Sequence, residues 1–301
     1  MDVSRIARVG VVGAGQMGRG IAQVAAAAGL DVVLTDASVE RAAAGKDAVG
    51  KALAKQVEKG KMQEADRAAL LERIRPAAGT DGLSGCDIAV EAVTEHVETK
   101  LDILRAADAA LPAGAILASN TSSISITRLA AATKRPSLVI GMHFKNPVPL
   151  MKLVEVVRGV QTSDETYTAT RTLAEKLGKT VVTSNDAPGF LVNRVLIPLI
   201  VEACFTLQEG VGTAEDIDTG AKLGLNHPMG PLELADLIGL DTVLAIAEVL
   251  HRDLGDSKYR APTNLRNLVT AGWLGRKTGR GFYRYDERGQ KVAGVGGAPQ
   301  A

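Results

Sequence analysis

The first thirty-six residues constrain this chain more than any other stretch. Ile6–Val12 is a short β-branched run that ends in glycines and reads as a strand. Gly13-Ala14-Gly15-Gln16-Met17-Gly18 follows, in the pattern G-x-G-x-x-G. Met17–Ala28 is alanine-rich and predicts a helix, with Gly29 as its C-cap. Asp31–Thr35 is a second apolar run, closed by Asp36. Strand, helix and strand with links this short make a βαβ unit with parallel strands. A glycine turn alone is common. One that follows a strand and opens a helix inside such a unit points to a dinucleotide site. Gly13 permits the tight turn, Gly15 lets the backbone approach a pyrophosphate, and Gly18 lets helix and strand pack closely. The N–H groups of Ala14, Gln16 and Met17 belong to the same cradle. A carboxylate at Asp36 would accept from both ribose hydroxyls and repel a 2′-phosphate, so NAD is the expected cofactor. The plainer reading of Asp36 is a strand-end residue capping the next helix at Ser38.

Further strands are expected at Ile88–Val93, Ala115–Ser119, Leu138–Met142, Lys152–Val157 and Thr180–Thr183. Helices are expected at Val39–Lys59 and Glu64–Ile74, as a hairpin inserted into the sheet domain, and at Glu95–Ala110. Hydrophobic residues are 46% of the chain and aromatics 3%, so the core must be aliphatic, as suits a mostly parallel sheet under helices. After Pro188 the pattern turns helical, through Leu191–Glu209, Ile217–Leu223, Glu233–Leu250 and Ala261–Ala271. The expected fold is α/β: an N-terminal Rossmann-type doubly wound sheet over residues 1–186, then an all-α domain over 187–285. Residues 286–301, rich in glycine, read as a frayed tail. The net charge is +1 with no long basic run, so no nucleic-acid surface is expected. No segment has the length of a membrane span, and Met1–Gly15 reads as a first strand rather than a secretory signal. Cys86 and Cys204 lack metal-ligand spacing. A cytoplasmic protein without a metal is expected.

His143 ends an apolar strand in GMHFKNP, and Glu155 sits twelve residues on, within LVEVV. A carboxylate in an apolar run is costly to bury unless paired. The turn at Pro147 and Pro149 could bring the two strands together, and a histidine oriented by a carboxylate is a general acid/base. Glu155 should then push the His143 pKa upward. A satisfied core histidine and a structural Glu–Lys pair fit the same spacing.

The segment GMHFKNPVPLMKLVE closely resembles the active-site stretch of the 3-hydroxyacyl-CoA dehydrogenases. So do ASNTSS at 118–123, PGFLVNR at 188–194, GPLELADLIGLD at 230–241 and GRKTGRGFY at 275–283. These matches run through almost the whole chain. The resemblance, closest to the stand-alone bacterial 3-hydroxybutyryl-CoA type, implies NAD-dependent interconversion of 3-hydroxyacyl-CoA and 3-oxoacyl-CoA, with a short acyl chain, in fatty-acid metabolism. It implies that His143 is the acid/base and that Glu155 orients it. Ser122 and Asn193 would hydrogen-bond the reacting oxygen or the surroundings of the histidine. Glu95 and Lys100 would lie near the nicotinamide ribose; by themselves they read as a solvated surface pair on one helix. Asn146 would contact cofactor or substrate, as would Ser122, and Lys277 would reach the cofactor. The resemblance also implies a homodimer formed through the C-terminal helical domain.

Lys51, Lys55 and Lys59 recur every four residues and share a helix face, which reads as an ordinary solvated stripe. The resemblance favours CoA contact for Lys59, with Ala52 where some members carry a serine. Lys145 departs from the large apolar residue usual in the family. Facing solvent it would mean nothing; facing the pocket it would pair with CoA or with an acidic acyl group, as in a 3-hydroxyadipyl-CoA-type enzyme. Lysine-centred hydroxyacid dehydrogenases, of the 3-hydroxyisobutyrate or 6-phosphogluconate type, do not fit the HFKNP…Glu155 arrangement. A non-catalytic dinucleotide-binding structural protein is the alternative of another class.

Overall fold

The strand Arg8–Val12 (β1) is buried along all but its first residue, so it is apolar continuously rather than alternately. Helix Gln16–Ala27 (α1) crosses back to strand Asp31–Asp36 (β2), which pairs in parallel with β1 in the register Val9↔Val32. The computed structural model describes residues 6–292 of the chain. These fall into two compact units that divide between Phe190 and Leu191.

In the first unit, helices Val39–Glu58 (α2) and Glu64–Glu72 (α3) form the inserted hairpin. Ser38 caps α2 by accepting from the Arg41 N–H. Ala42, Gly45, Val49 and Leu53 of α2 are buried, at helical spacing, while Lys51, Lys55 and Lys59 point to solvent. There follow strands Ile74–Ala78 (β3) and Ile88–Glu91 (β4), helix Val97–Ala110 (α4), strand Ile116–Ser119 (β5), helix Ile126–Ala131 (α5) and strand Val139–Phe144 (β6). Strand Leu153–Arg158 (β7), helix Asp164–Lys176 (α6) and strand Thr180–Asn185 (β8) complete the unit. The sheet order is β3-β2-β1-β4-β5-β6-β7-β8. Among the described strands of this sheet, only the β6–β7 pairing is antiparallel.

Strand order reverses at β1, with β2 on one side and β4 on the other. Such a switch point opens a crevice beyond the carboxyl ends of the strands. The loops after β1, β4 and β5 all emerge at that edge. His143 lies near the carboxyl end of β6, and Glu155 near the start of the antiparallel β7, so both sit at the same edge.

The second unit begins with helix Val192–Gln208 (α7), followed by Ala214–Gly224 (α8), Pro231–Ile238 (α9), Leu240–Leu254 (α10) and Thr263–Thr270 (α11). Its core gathers Ile197, Val201, Leu232, Leu240, Val243 and Phe282. Two buried carboxylates organise it. Asp218 accepts from the Leu232 and Glu233 N–H groups and from the Tyr283 hydroxyl. Asp236 accepts from the Phe282 and Tyr283 N–H groups and the Tyr285 hydroxyl, pinning the 275–285 segment onto α9. Burial pushes the Asp236 carboxyl up to about 6.

Several elements differ from expectation. Residues 233–250 form two helices, because Gly239 adopts φ +102°, which a continuous helix cannot contain. The strand β3 replaces the end of an expected helix; Pro76 is tolerated because β3 is an edge strand. Helices α5 and α6 were not expected. The expected frayed tail begins instead with order: Asp286 N–H donates to Gln290 and Val292 N–H to Arg284. The rest of that tail lies outside the described residues. Among the described residues no helix is long and apolar enough to cross a membrane.

Candidate active site

The glycine turn is held by β2. Gly13 N–H donates to the Thr35 carbonyl at 2.8 Å, and Ala14 N–H to Asp36 Oδ2 at 2.9 Å. Asp36 Oδ1 accepts from Ala37 N–H at 2.8 Å and lies 2.8 Å from the Arg41 guanidinium. Asp36 therefore clamps the turn as well as standing at the strand end. At Gly18 a Cβ would lie 1.7 Å from the Gly13 carbonyl oxygen, so no side chain fits between helix and turn. At Gly15 a Cβ would meet nothing within 4 Å. That open side, over the free N–H groups that begin α1, is the cradle a pyrophosphate needs. Gln16 Nε2 donates to Asn146 Oδ1 at 3.0 Å, joining the turn to the loop after β6.

A buried network follows β4. Lys100 Nζ, 1% exposed, lies 2.7 Å from Glu91 Oε1, 3.3 Å from Glu95 Oε2 and 3.4 Å from the Val93 carbonyl. These three acceptors use all its protons, so Lys100 is a buried strut and not a solvated surface residue. Helix α4 starts at Val97, leaving Glu95 in the preceding loop. Glu95 Oε1 accepts from the Thr121 hydroxyl at 2.6 Å and from the N–H groups of Ser122 and Ser123 at 2.7 and 3.1 Å. It also accepts from the Ser122 hydroxyl at 3.1 Å. Burial would raise the Glu95 carboxyl, but Lys100 and the donors of the 121–122 turn outweigh it and hold it below its ordinary value.

His143 and Glu155 are directly opposed across the β6–β7 ladder. His143 Nδ1 is 2.8 Å from Glu155 Oε2. A carboxylate only accepts, so Nδ1 carries the proton and Nε2 presents its lone pair. Glu155 is fully buried and His143 nearly so. Phe190 and the imidazole pack in a T-shaped arrangement with ring centroids 5.9 Å apart. Asn120 Oδ1 accepts from the Phe144 N–H at 2.9 Å, tying the loop after β5 to the histidine strand. Lys145 turns away from solvent, with its side chain 15% exposed. Its Nζ ion-pairs with Glu155 Oε2, 3.0 Å from His143 Nδ1. Burial lowers the His143 pKa, and Lys145 lowers it further, against the raising effect of Glu155. The upward shift expected from Glu155 is thus overridden. Burial also lowers the Lys145 amine, with Glu155 opposing.

A cleft of about 170 Å³ opens between α1, α2 and the 146–149 loop, lined by Gln16, Arg19, Gln23, Ala52, Asn146 and Pro147. Lys59 caps the end of α2 and is exposed. In the second unit, Asn193 is buried in the first turn of α7. Lys277 pairs with Asp241 at 2.6 Å. Burial raises the Cys86 thiol to about 11, which keeps it an unreactive core residue.

The family model for the 3-hydroxyacyl-CoA dehydrogenase NAD binding domain matches residues 8–187, and that for the C-terminal domain of the same enzymes matches residues 189–285. The chain belongs to the 3-hydroxyacyl-CoA dehydrogenase family. It is 55% identical over 286 residues to a 3-hydroxybutyryl-CoA dehydrogenase of Bradyrhizobium diazoefficiens, covering 95% of this chain and 97% of that one. It is 41% identical to the mitochondrial hydroxyacyl-coenzyme A dehydrogenase of Rattus norvegicus, covering 93% and 91%. The solved structure of (S)-3-hydroxybutyryl-CoA dehydrogenase from Ralstonia eutropha superposes with a TM-score of 0.91 at 51% identity, covering 94% of this chain and 100% of that one. The first unit is accordingly an NAD-binding domain.

In this member of the family, several residues at the site escaped sequence reasoning. Glu91 is 1% exposed, and its signal was a carboxylate in the apolar strand IAVE, the same signal that marked Glu155. Ser119 Oγ donates to Glu91 Oε2 at 2.6 Å. Asn120, Thr121 and Phe190 lay inside quoted motifs, but nothing in the residue order said which side chains turn inward.

Proposed function

We propose that this protein is an NAD-dependent (S)-3-hydroxyacyl-CoA dehydrogenase acting on short acyl chains, with 3-hydroxybutyryl-CoA and acetoacetyl-CoA as the substrate pair. The observation that carries the proposal is the buried His143–Glu155 pair, 2.8 Å apart at the edge where the glycine turn emerges. Bound NAD supplies a hydride acceptor at C4 of its nicotinamide. The neutral imidazole accepts the 3-hydroxyl proton at Nε2 during oxidation and returns it during reduction. Glu155 fixes the tautomer through Nδ1 and stabilises the imidazolium while it exists. The apolar cover of Phe190 and the burial of the dyad keep water from the proton.

Gly13, Ala14, Gly15, Gln16, Met17 and Gly18 hold the pyrophosphate, and Asp36 holds the ribose. Glu95 fixes the 121–123 turn so that Ser122 reaches the reacting oxygen, and Lys100 acts by holding Glu95. Asn193 shares that oxygen in our reading, and Lys277 serves the cofactor. Asn146, bound to Gln16, lines the cleft that we assign to the CoA arm, and we assign Lys59, which ends α2, to the same arm. Domain limits of 1–186 and 187–285, a homodimer through the helical domain and a cytoplasmic location complete the proposal.

Initial rates on acetoacetyl-CoA, longer 3-oxoacyl-CoA esters and 3-oxoadipyl-CoA test the substrate class. The largest kcat/KM on acetoacetyl-CoA is expected. A maximum on the dicarboxylic ester would replace the short-chain reading, and NADH binding with no turnover of any ester would leave a non-catalytic protein.

A further inference from the structure

Glu155 has one oxygen, Oε2, that meets both an imidazole and an ammonium. His143 Nδ1 donates to it at 2.8 Å, and the Lys145 ammonium pairs with the same atom. Lys145 lies two residues beyond His143 and is only 15% exposed. Its Nζ stands 3.0 Å from Nδ1 and 3.5 Å from Nε2 of the imidazole. With Nδ1 protonated, that ammonium cannot donate to Nδ1. It is a like-charged neighbour of any imidazolium.

Counting charge decides what this does. With neutral His143, the cluster of Glu155, Lys145 and His143 sums to zero. With protonated His143 it carries a buried positive charge that a single carboxylate cannot compensate. Among the described residues of the first unit, Glu95, in the loop before α4, also acts on the ring and favours the imidazolium. Its carboxylate is already engaged by Lys100 at 3.3 Å and by the 121–123 turn. Phe190 packs an uncharged ring against the imidazole.

We propose that Lys145 is a positioning residue that holds His143 in its neutral, proton-accepting form by taking the share of Glu155 that would otherwise stabilise the imidazolium. This rests on reading His143 as the acid/base. The alcohol-oxidising form then persists to lower pH than the dyad alone would allow.

The test is an NMR titration of the imidazole resonances in the full-length protein. The chain has 4 histidines, and His143→Gln assigns the relevant one. Lys145→Met should raise the His143 pKa by about one to two units, the usual effect of one adjacent charge. Lys145→Gln should do the same, which covers a failure of the methionine variant to fold. Lys145→Arg should leave the titration near wild type. A His143 pKa in either neutral variant that is unchanged or lower overturns the proposal. A lysine that merely packs would lower Tm and leave the titration in place, which also overturns it. The titration needs neither NAD nor acyl-CoA, so its outcome is separate from whether the protein oxidises 3-hydroxyacyl-CoA. With substrate, the acid limb of kcat against pH should move up with the NMR value.

Discussion

Replacing Lys100 by methionine removes the strut beneath the 121–123 turn. Glu91, 1% exposed, would lose its partner at 2.7 Å, and Glu95 its partner at 3.3 Å. Breaking a buried ion pair from one side costs about 3–5 kcal/mol, because the remaining charge stays buried. Glu91 keeps the Ser119 hydroxyl at 2.6 Å and the Val93 N–H at 2.7 Å, which places the loss near the lower end, about 3 kcal/mol. For a unit of this size each kcal/mol moves the midpoint by about 2–4 °C, so Tm of the first unit should fall by about 6–12 °C. Calorimetry reads the transition, and hydrogen exchange at β4 and β5 assigns it to this unit. The double variant Glu91→Gln, Lys100→Met removes the uncompensated charge and should recover at least half of the loss. A single variant within about 2 °C of wild type, or a double variant no more stable than the single, would refute the reasoning.

Other consequences are smaller in scope. Gly15→Ala should leave Tm unchanged, since its Cβ meets no atom within 4 Å, yet weaken NADH binding about tenfold or more in a fluorescence titration. Gly18→Ala, whose Cβ would sit 1.7 Å from a backbone oxygen, should lower both Tm and NADH affinity. Oxidation requires neutral His143, whose pKa is lowered by burial and by Lys145; the rate should therefore rise with pH through a value below that of an ordinary histidine and then level off. Glu155→Gln removes the group that opposes that lowering, so the acid limb should move to still lower pH while kcat falls about 100-fold or more. Charge reversal at Lys59 should raise KM for the CoA ester and leave NADH affinity alone.

The glycine turn, its βαβ frame and the family were legible because they depend on local chemistry: residues needed for φ, close approach and strand periodicity. The His143–Glu155 pair was legible because a carboxylate inside LVEVV demands a partner. The same logic applies to Glu91 in IAVE, yet its partner Lys100 looks like a solvated residue on a polar helix. Only the fold, which lays α4 over β4, shows that it is buried. Lys145 sat beside the histidine in sequence, but strand geometry was needed to turn its amine onto Glu155. Strand β3 was hidden by Pro76, a residue that signals non-strand except at an edge, and edge position is a property of the whole sheet. The break at Gly239 was hidden because apolar spacing continues across it while φ reverses.

The central claim is that His143 transfers the proton in 3-oxoacyl-CoA reduction at a site served by NAD. The most direct measurement follows the loss of NADH absorbance on mixing with acetoacetyl-CoA, for wild type and His143→Gln at equal NADH occupancy. Rapid loss in wild type, slowed about 100-fold or more in the variant with NADH affinity retained, is the expected result. Equal rates in the two proteins would contradict the claim.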